Sequence, residues 1–416
     1  MRPRRTPPVP RFRSPLRGPW LTSVFGAVLL VGLPLVIVTG LLDYIAYGQG
    51  QAIPGDVGLL RLPGFDWPAR PSWLFRVTQG LHVGLGLVLV PVLLAKLWSV
   101  IPRLFALPPV RSIAHALERG TLLLLVGGIL FEIVTGLLNI QYDYVFGFSF
   151  YTGHYYGAWV FIAAFVAHVA LKLPHLRRAL ASRSLRAELR TPLADTRPEE
   201  ITPESAGLVA QDPAPATVSR RGALALVGGG ALFVAALTAG QTIGGPLREW
   251  ALLLPRSRVS GEGGNRFPLN KTALAAGVSP ANTGADWRLA LAGPTPRSFT
   301  RDELLALEQH TAVLPIACVE GWSSVQTWTG VRVRDLAELA GVPAPTSAAF
   351  ASVEQGGFSR SVINSGQATH PDSLLALRVD GADLSLDHGY PARLVVPAMP
   401  GVKCTKWVNS IEFRSV

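Results

Sequence analysis

Four histidines stand in or beside long apolar stretches, where a polar side chain is costly and is kept for a function. His82 lies in RVTQGLHVGLGL, His115 in SIAHALERG, and His154 and His168 in GHYYGAWVFIAAFVAHVALK. The last two are fourteen residues apart. At 1.5 Å per residue that is about 21 Å along a helix, and fourteen steps of 100° return to within about 40° of one face. Two imidazoles at different depths on one face suit two stacked b-type hemes, each completed by a histidine from another helix. Neutral imidazole is a usual axial ligand. Position along the spans pairs His82 with His154 on the outer side and His115 with His168 on the inner side. The plainer alternative is that these histidines hydrogen-bond between helices. Glu132, in the third stretch, is read either as a proton carrier to a quinone or as a hydrogen-bond partner. Lys96 is expected to snorkel from a helix end, and His175 to lie on the surface.

A second chemical candidate is Cys318, where the run TAVLPIA passes into CVEGWS. A thiolate at a strand end can reach a cleft and suits a soft metal centre. On residue type alone, a buried inert cysteine is the favoured alternative. The only other cysteine is Cys404, in KCTK. Two cysteines cannot make a disulfide framework, though one bridge between them stays open.

These residues need elements to hold them. The chain has 416 residues, only 16% of them charged, with a mean hydropathy of +0.33. Apolar blocks at about 20–44, 74–100, 118–140, 153–173 and 223–245 each approach the ~20 residues that cross a bilayer. The basic residues gather in the tail 1–19, in the segment from Lys96 to Arg119 and in the segment from Arg177 to Arg221. They therefore flank alternate spans, which places them in the cytoplasm. The loops Tyr44–Ser72 and Gln141–Thr152 are then outside, and so is everything after the fifth span. The net charge of +11 thus reflects topology in the plasma membrane and no nucleic-acid partner.

The layout that follows is a basic tail (1–19), a four-helix membrane domain (20–175), a partly ordered cytoplasmic linker (176–219), a fifth helix (220–245) and an exported domain (255–416). The fifth helix opens on SRRGALAL, read either as an uncleaved twin-arginine export signal or as plain positive-inside anchoring. In the exported part, short β-like runs (WRLALAG, ARLVVPA, WVNSIEF) alternate with helical pieces such as TRDELLALEQH, a mixed α+β pattern.

The membrane block resembles the four-helix cytochrome b family that anchors bacterial hydrogenases and formate dehydrogenases. That resemblance implies two hemes held by histidines at this spacing. The family often takes an inner ligand from its first helix, and here that helix has none. The blocks CVEGWSSVQTWTGVRVRDLAELAG and DHGYPARLVVPAMPGVKCTKWVNSIEF resemble the molybdopterin-binding domain of the sulfite oxidase family, over about residues 265–416. The resemblance implies that Cys318 ligates molybdenum, and that His388, Arg393 and Lys406 hold the pterin and its phosphate. Asn265, in GNRF, resembles an asparagine near the pterin. Where animal and plant sulfite oxidases carry arginines after the cysteine, this chain has Glu320, which argues against sulfite as substrate.

The reading is a membrane-bound molybdopterin-dependent oxidoreductase that transfers an oxygen atom to or from a small-molecule substrate. Heme b would link the molybdenum to a quinone or another redox partner. The alternative is a heme b electron-transfer subunit whose exported domain holds no cofactor or binds a partner.

Overall fold

The computed structural model describes residues 12–48, 64–105, 112–139, 148–203, 205–253, 258–356 and 359–415. The basic tail before residue 12, residues 49–63 and 140–147 of the two loops read as outer from the sequence, and residues 255–257 of the C-terminal domain lie outside them.

The apolar blocks form helices α1 (Pro19–Tyr47), α2 (Leu74–Val88), α3 (Val90–Leu104), α4 (Ile113–Leu138) and α5 (Phe150–Ser182). A short α6 (Leu185–Glu188) precedes α7 (Arg220–Ile243). The second span is α2 and α3 in succession. Among the described residues, five spans are long and apolar enough to cross a membrane. Each closes its own backbone hydrogen bonds, as a lipid environment requires.

The chain divides into two compact units. The first holds residues up to 35, 85–134 and 157–235. Within it, Lys96 is no helix-end residue: α3 continues to Leu104, and the Lys96 amine donates to Thr22 O at 2.8 Å, inside the helix packing. Glu132 is buried against Gly157, where a side chain on residue 157 would collide with its carboxylate. The segment 176–219 is better ordered than its polar, proline-rich composition suggests. Glu199 accepts from Trp20 N at 3.1 Å, Trp20 Nε1 donates to Arg183 O, and the buried Arg220 pairs with Glu188. The first of the two arginines in SRRGALAL is thus bound into the fold.

The second unit holds residues 36–84, 135–156 and 236–416. Its C-terminal part begins with a small pair, β1 (Val259–Ser260) and β2 (Phe267–Pro268), and then builds two larger sheets. One runs β4 (Arg297–Phe299), β3 (Leu289–Ala292), β12 (Val408–Arg414), β7 (Ser347–Ser352), β8 (Arg360–Asn364). The other runs β10 (Ala382–Asp383), β9 (Leu374–Val379), β6 (Ser323–Arg332), β5 (His310–Ala317), with β11 (Arg393–Val395) also on β9. Pairing is antiparallel except for β12 on β3. Short helices α8 (Pro280–Thr283), α9 (Arg301–Ala306), α10 (Val333–Leu339) and α11 (Ser365–Ala368) connect the strands. This is the mixed helix-and-sheet domain that the alternating pattern implies.

The core of this unit includes residues from the helix ends. Tyr47, Trp67 and Phe75 pack in one buried cluster with Ile316, Trp322 and Met399. Trp67 Nε1 donates to Ala398 O at 2.7 Å, and Gln367 Nε2 donates to Trp67 O at 2.9 Å. Burying a side chain the size of Phe75 contributes about 1.5–3 kcal/mol. Trp67→Ala should therefore lower the unfolding midpoint of the detergent-solubilised chain by several degrees, measured by circular dichroism.

Candidate active site

Cys318 follows the last residue of β5 and is buried. Its backbone N–H donates to Trp322 O at 2.9 Å, and Gly321 N–H returns to Cys318 O at 2.9 Å. The two bonds close a tight loop over residues 318–322. Gly321 turns it with φ +87°, a value that favours glycine. Beyond the loop, Pro400 pairs with Ala317, and a Cβ on Gly401 would press on Ala317 O at 2.8 Å. Glycine there lets the 400–407 segment close on the cysteine strand.

Side chains from the helices hold this loop. Gln79 Nε2 donates to Val319 O at 2.7 Å, and Thr242 Oγ1 donates to Gly321 O at 2.7 Å. Ser323 Oγ donates back to Thr242 O at 2.9 Å, and Arg248 donates to Ser323 O. Val83 sits against Gly321 so closely that a Cβ there would lie 2.9 Å from Val83 Cβ. These holders are outside both sequence motifs.

A second group surrounds the 385–393 loop. His388 Nδ1 meets Ser385 Oγ at 2.9 Å, and Arg393 Nη1 donates to His388 O at 3.2 Å. Lys406 Nζ donates to Asp387 O at 3.0 Å and to Lys271 O at 2.5 Å. Gly389 has φ +113°, and a Cβ on it would meet Arg393 Cβ at 3.1 Å and Lys406 Cγ at 3.2 Å. The glycine thus lets both cations approach one loop. Asn265 spends its amide on backbone: Nδ2 donates to Asp383 O and Oδ1 accepts from Ser385 N, each at 2.8 Å. In this structure it braces the loop that carries His388.

The charges are poorly neutralised. Burial, helped by the nearby Arg393 and Lys406 charges, pushes His388 down to about 4. Burial lowers Arg393 to about 10, and it holds Lys406 well below its ordinary value with Arg393 adding repulsion. Lys403 falls to about 8 through burial alone. His388 Nε2 and Arg393 Nε are buried without a hydrogen-bond partner among the described residues. Arg393, Lys271, Cys404, Thr405 and Lys406 line one small cleft. Buried cations with unspent donors fit an anion that brings several acceptor oxygens, such as a phosphate. Cys404 lines this cleft with a thiol pushed up by burial, which suits a bystander. It is not bridged to Cys318. Lys271 and Thr405 belong to the cleft without belonging to a recognisable motif. Trp328 is core, donating to Leu314 O with Arg393 over its ring, whereas Trp322 Nε1 is buried without a partner among the described residues. Glu320, two residues after Cys318, is buried.

The histidines divide. The His82 and His154 rings lie 6.0 Å apart, nearly perpendicular. His82 Nδ1 is 2.9 Å from Val36 O, and His154 Nδ1 is 3.1 Å from Thr135 Oγ1. With Nδ1–H given to the Val36 carbonyl, the other nitrogen of His82 keeps the lone pair a metal needs. Gly40 and Gly136 lie against these two rings, and a Cβ on either would crowd an imidazole. The inner pair is not assembled in the same way. His168 lines a cavity of about 1010 Å³, and His115 is not among the residues that bound it. His175 also reaches that cavity and is exposed, as expected.

Residues 276–416 match the family described as oxidoreductase molybdopterin binding domain. Sulfite oxidase of Arabidopsis thaliana is 38% identical over 100 residues, covering 20% of this chain and 25% of its own. The oxidoreductase YuiH of Bacillus subtilis is 32% identical over 130 residues, covering 30% and 65%. The protein-methionine-sulfoxide reductase catalytic subunit MsrP of Xanthomonas campestris is 35% identical over 146 residues, covering 30% and 44%. The chain thus spans about a quarter to two thirds of the length of these relatives. Its C-terminal segment is similar to molybdopterin-binding domains of oxidoreductases, the sulfite oxidase and methionine-sulfoxide reductase relatives among them.

Two outcomes follow from the cation group. Arg393→Gln should lower pterin retention at least about tenfold, since hydrogen bonds to charged groups contribute ~1.5–3 kcal/mol; pterin released from equal amounts of protein measures this. In protein made without molybdate, unfolded His388 takes up a proton at about 6.5, while the folded form does so only near 4. Proton uptake then favours unfolding, so stability falls as pH drops from about 6.5 toward 4. Thermal midpoints across that window should fall less steeply for His388→Gln.

Proposed function

We propose that the chain transfers an oxygen atom at a molybdenum ligated by Cys318, and that heme b held by His82 and His154 exchanges electrons with that centre. The observation that carries the reading is the seat of the Cys318 loop on the heme-bearing helix. Gln79 holds Val319 and Val83 packs on Gly321. His82 lies between them on α2, one turn from Gln79. A quinone or another redox partner completes the circuit.

Molybdenum supplies two-electron oxygen-atom transfer, and heme supplies single-electron transfer. The balance in the reducing direction is substrate–O plus two electrons and two protons to substrate plus water. The protein's residues set up the rest. His388, Arg393 and Lys406 hold the pterin and its phosphate, with Asn265 positioning the His388 loop. The loop bonds from Gln79 and Thr242 fix the Cys318 backbone, so that the thiolate need not reorganise during electron transfer. Glu320 places a buried carboxyl two residues from the thiolate, where a carboxylate would repel a dianionic substrate such as sulfite. A neutral oxygen-atom donor, the substrate–O of that balance, is the class that fits. The helices carry basic flanks on alternate sides, which puts the C-terminal domain outside the cytoplasm. In keeping with this, the loop segment around Trp67 packs in the core of that domain.

Metal and pterin analysis of detergent-purified protein, beside its reduced-minus-oxidised spectrum, tests the reading. Molybdenum at one per chain together with b-type bands is expected. Cys318→Ser should abolish oxygen-atom transfer and leave the heme bands in place. His82→Ala should remove a heme and leave molybdenum content unchanged. Protein replete in heme and free of molybdenum, from cells supplied with molybdate, would overturn the proposal.

A further inference from the structure

The spans that carry His82 and His154 repeat themselves. Fourteen residues beyond His154 stands His168, and fourteen beyond His82 stands Lys96. That interval is ~21 Å along a helix and returns to within about 40° of the same face. Lys96 is therefore to its span what His168 is to the other. The packing agrees with the spacing, because Lys96 and His168 line the same cavity, bounded by α1, α3, α4 and α5.

The amine is kept inside. It donates to Thr22 O at 2.8 Å, and Gly26 leaves it room, since a Cβ there would lie 3.1 Å from Nζ. The cavity, about 1010 Å³, has an apolar body that includes Leu29, Leu93, Val126 and Phe165. Arg103, Arg178 and Arg183 also line it. An apolar slot with arginines and two imidazoles, His168 and the exposed His175, suits a flat apolar ring system carrying carboxylates. Lys172, which also lines it, is already paired with Glu118 at 2.7 Å.

We propose that Lys96 and His168 are the axial pair of a second heme b, with the lysine amine taking the place that the sequence assigns to His115. This rests on the heme reading of His82 and His154. Lysine can serve once its ammonium has released its proton to water, since a metal ligand must offer a lone pair. The arginines hold the propionates through charge-assisted bonds.

The test is heme per chain and electron paramagnetic resonance on the full chain in detergent, for wild type, Lys96→Ala, Lys96→His and His115→Ala. Wild type should hold two hemes with two distinct low-spin signals. Lys96→Ala should lose one low-spin signal, either to a high-spin form or with half the heme, and leave the other unmoved. Lys96→His should retain two hemes and shift that signal toward the bis-imidazole type, which a merely structural lysine would not do. His115→Ala should change neither signal. One heme in wild type would overturn the proposal, and so would signals that ignore both Lys96 substitutions or respond to His115→Ala; in each case the outer heme stands. No heme at all would sink this proposal together with the reading it rests on.

Discussion

The structure depends on how a short irregular loop is satisfied. Residues 318–323 form a turn whose carbonyls face helix ends, and an unpaired buried carbonyl costs about as much as a lost hydrogen bond. Val319, Gly321 and Ser323 each find a donor there, from Gln79, Thr242 and Arg248 respectively. The side chain of Ser323 and the carbonyl of Thr242 complete the exchange. The bonds from Gln79 and Thr242 join the cysteine loop to helices that continue as membrane spans, and Arg248 reaches it from the turn that follows the last of them. A loop held at alternate carbonyls cannot swing independently of the helices, so the distance from thiolate to imidazole is set by the fold.

The cation group works under the opposite condition. Its hydrogen bonds to His388 O, Asp387 O and Lys271 O use backbone acceptors and leave most of the positive charge uncompensated. Glu354 meets Lys271, and the buried Arg393 has no carboxylate partner among the described residues. Such an arrangement costs stability when empty and gains when an anion enters, the pattern expected of a binding site kept for its ligand. Gly389 is the backbone device that makes this crowding feasible.

Much of this was legible in the sequence. Apolar length gave the spans, and the two long motifs gave Cys318, His388, Arg393 and Lys406, because turn-forming glycines and prolines fix those residues locally. The His82/His154 pair was legible from depth alone, and the structure brings the two rings together. The sequence reading pairs His115 with His168; His115 sits in the first turn of α4 and is not among the residues lining the cavity beside His168, which Lys96 also lines. Lysine at an apparent span end reads as a snorkelling cation until the helix is seen to run on to Leu104. The loop holders Gln79, Thr242 and Arg248 carry no local signature, since their partners lie 75 to 240 residues away. Glu199 and Arg220 gave order to a segment whose composition suggested little, through contacts that only the fold creates.

Under the proposed function, molybdenum beside Cys318 and a heme iron between His82 and His154 would be close enough to exchange electrons. Relaxation of the paramagnetic molybdenum signal, compared with the heme oxidised and reduced, tests this without knowledge of the substrate. The account expects faster relaxation when the heme iron is paramagnetic, and loss of that enhancement in His82→Ala. A molybdenum signal whose relaxation is the same in both heme states would contradict it.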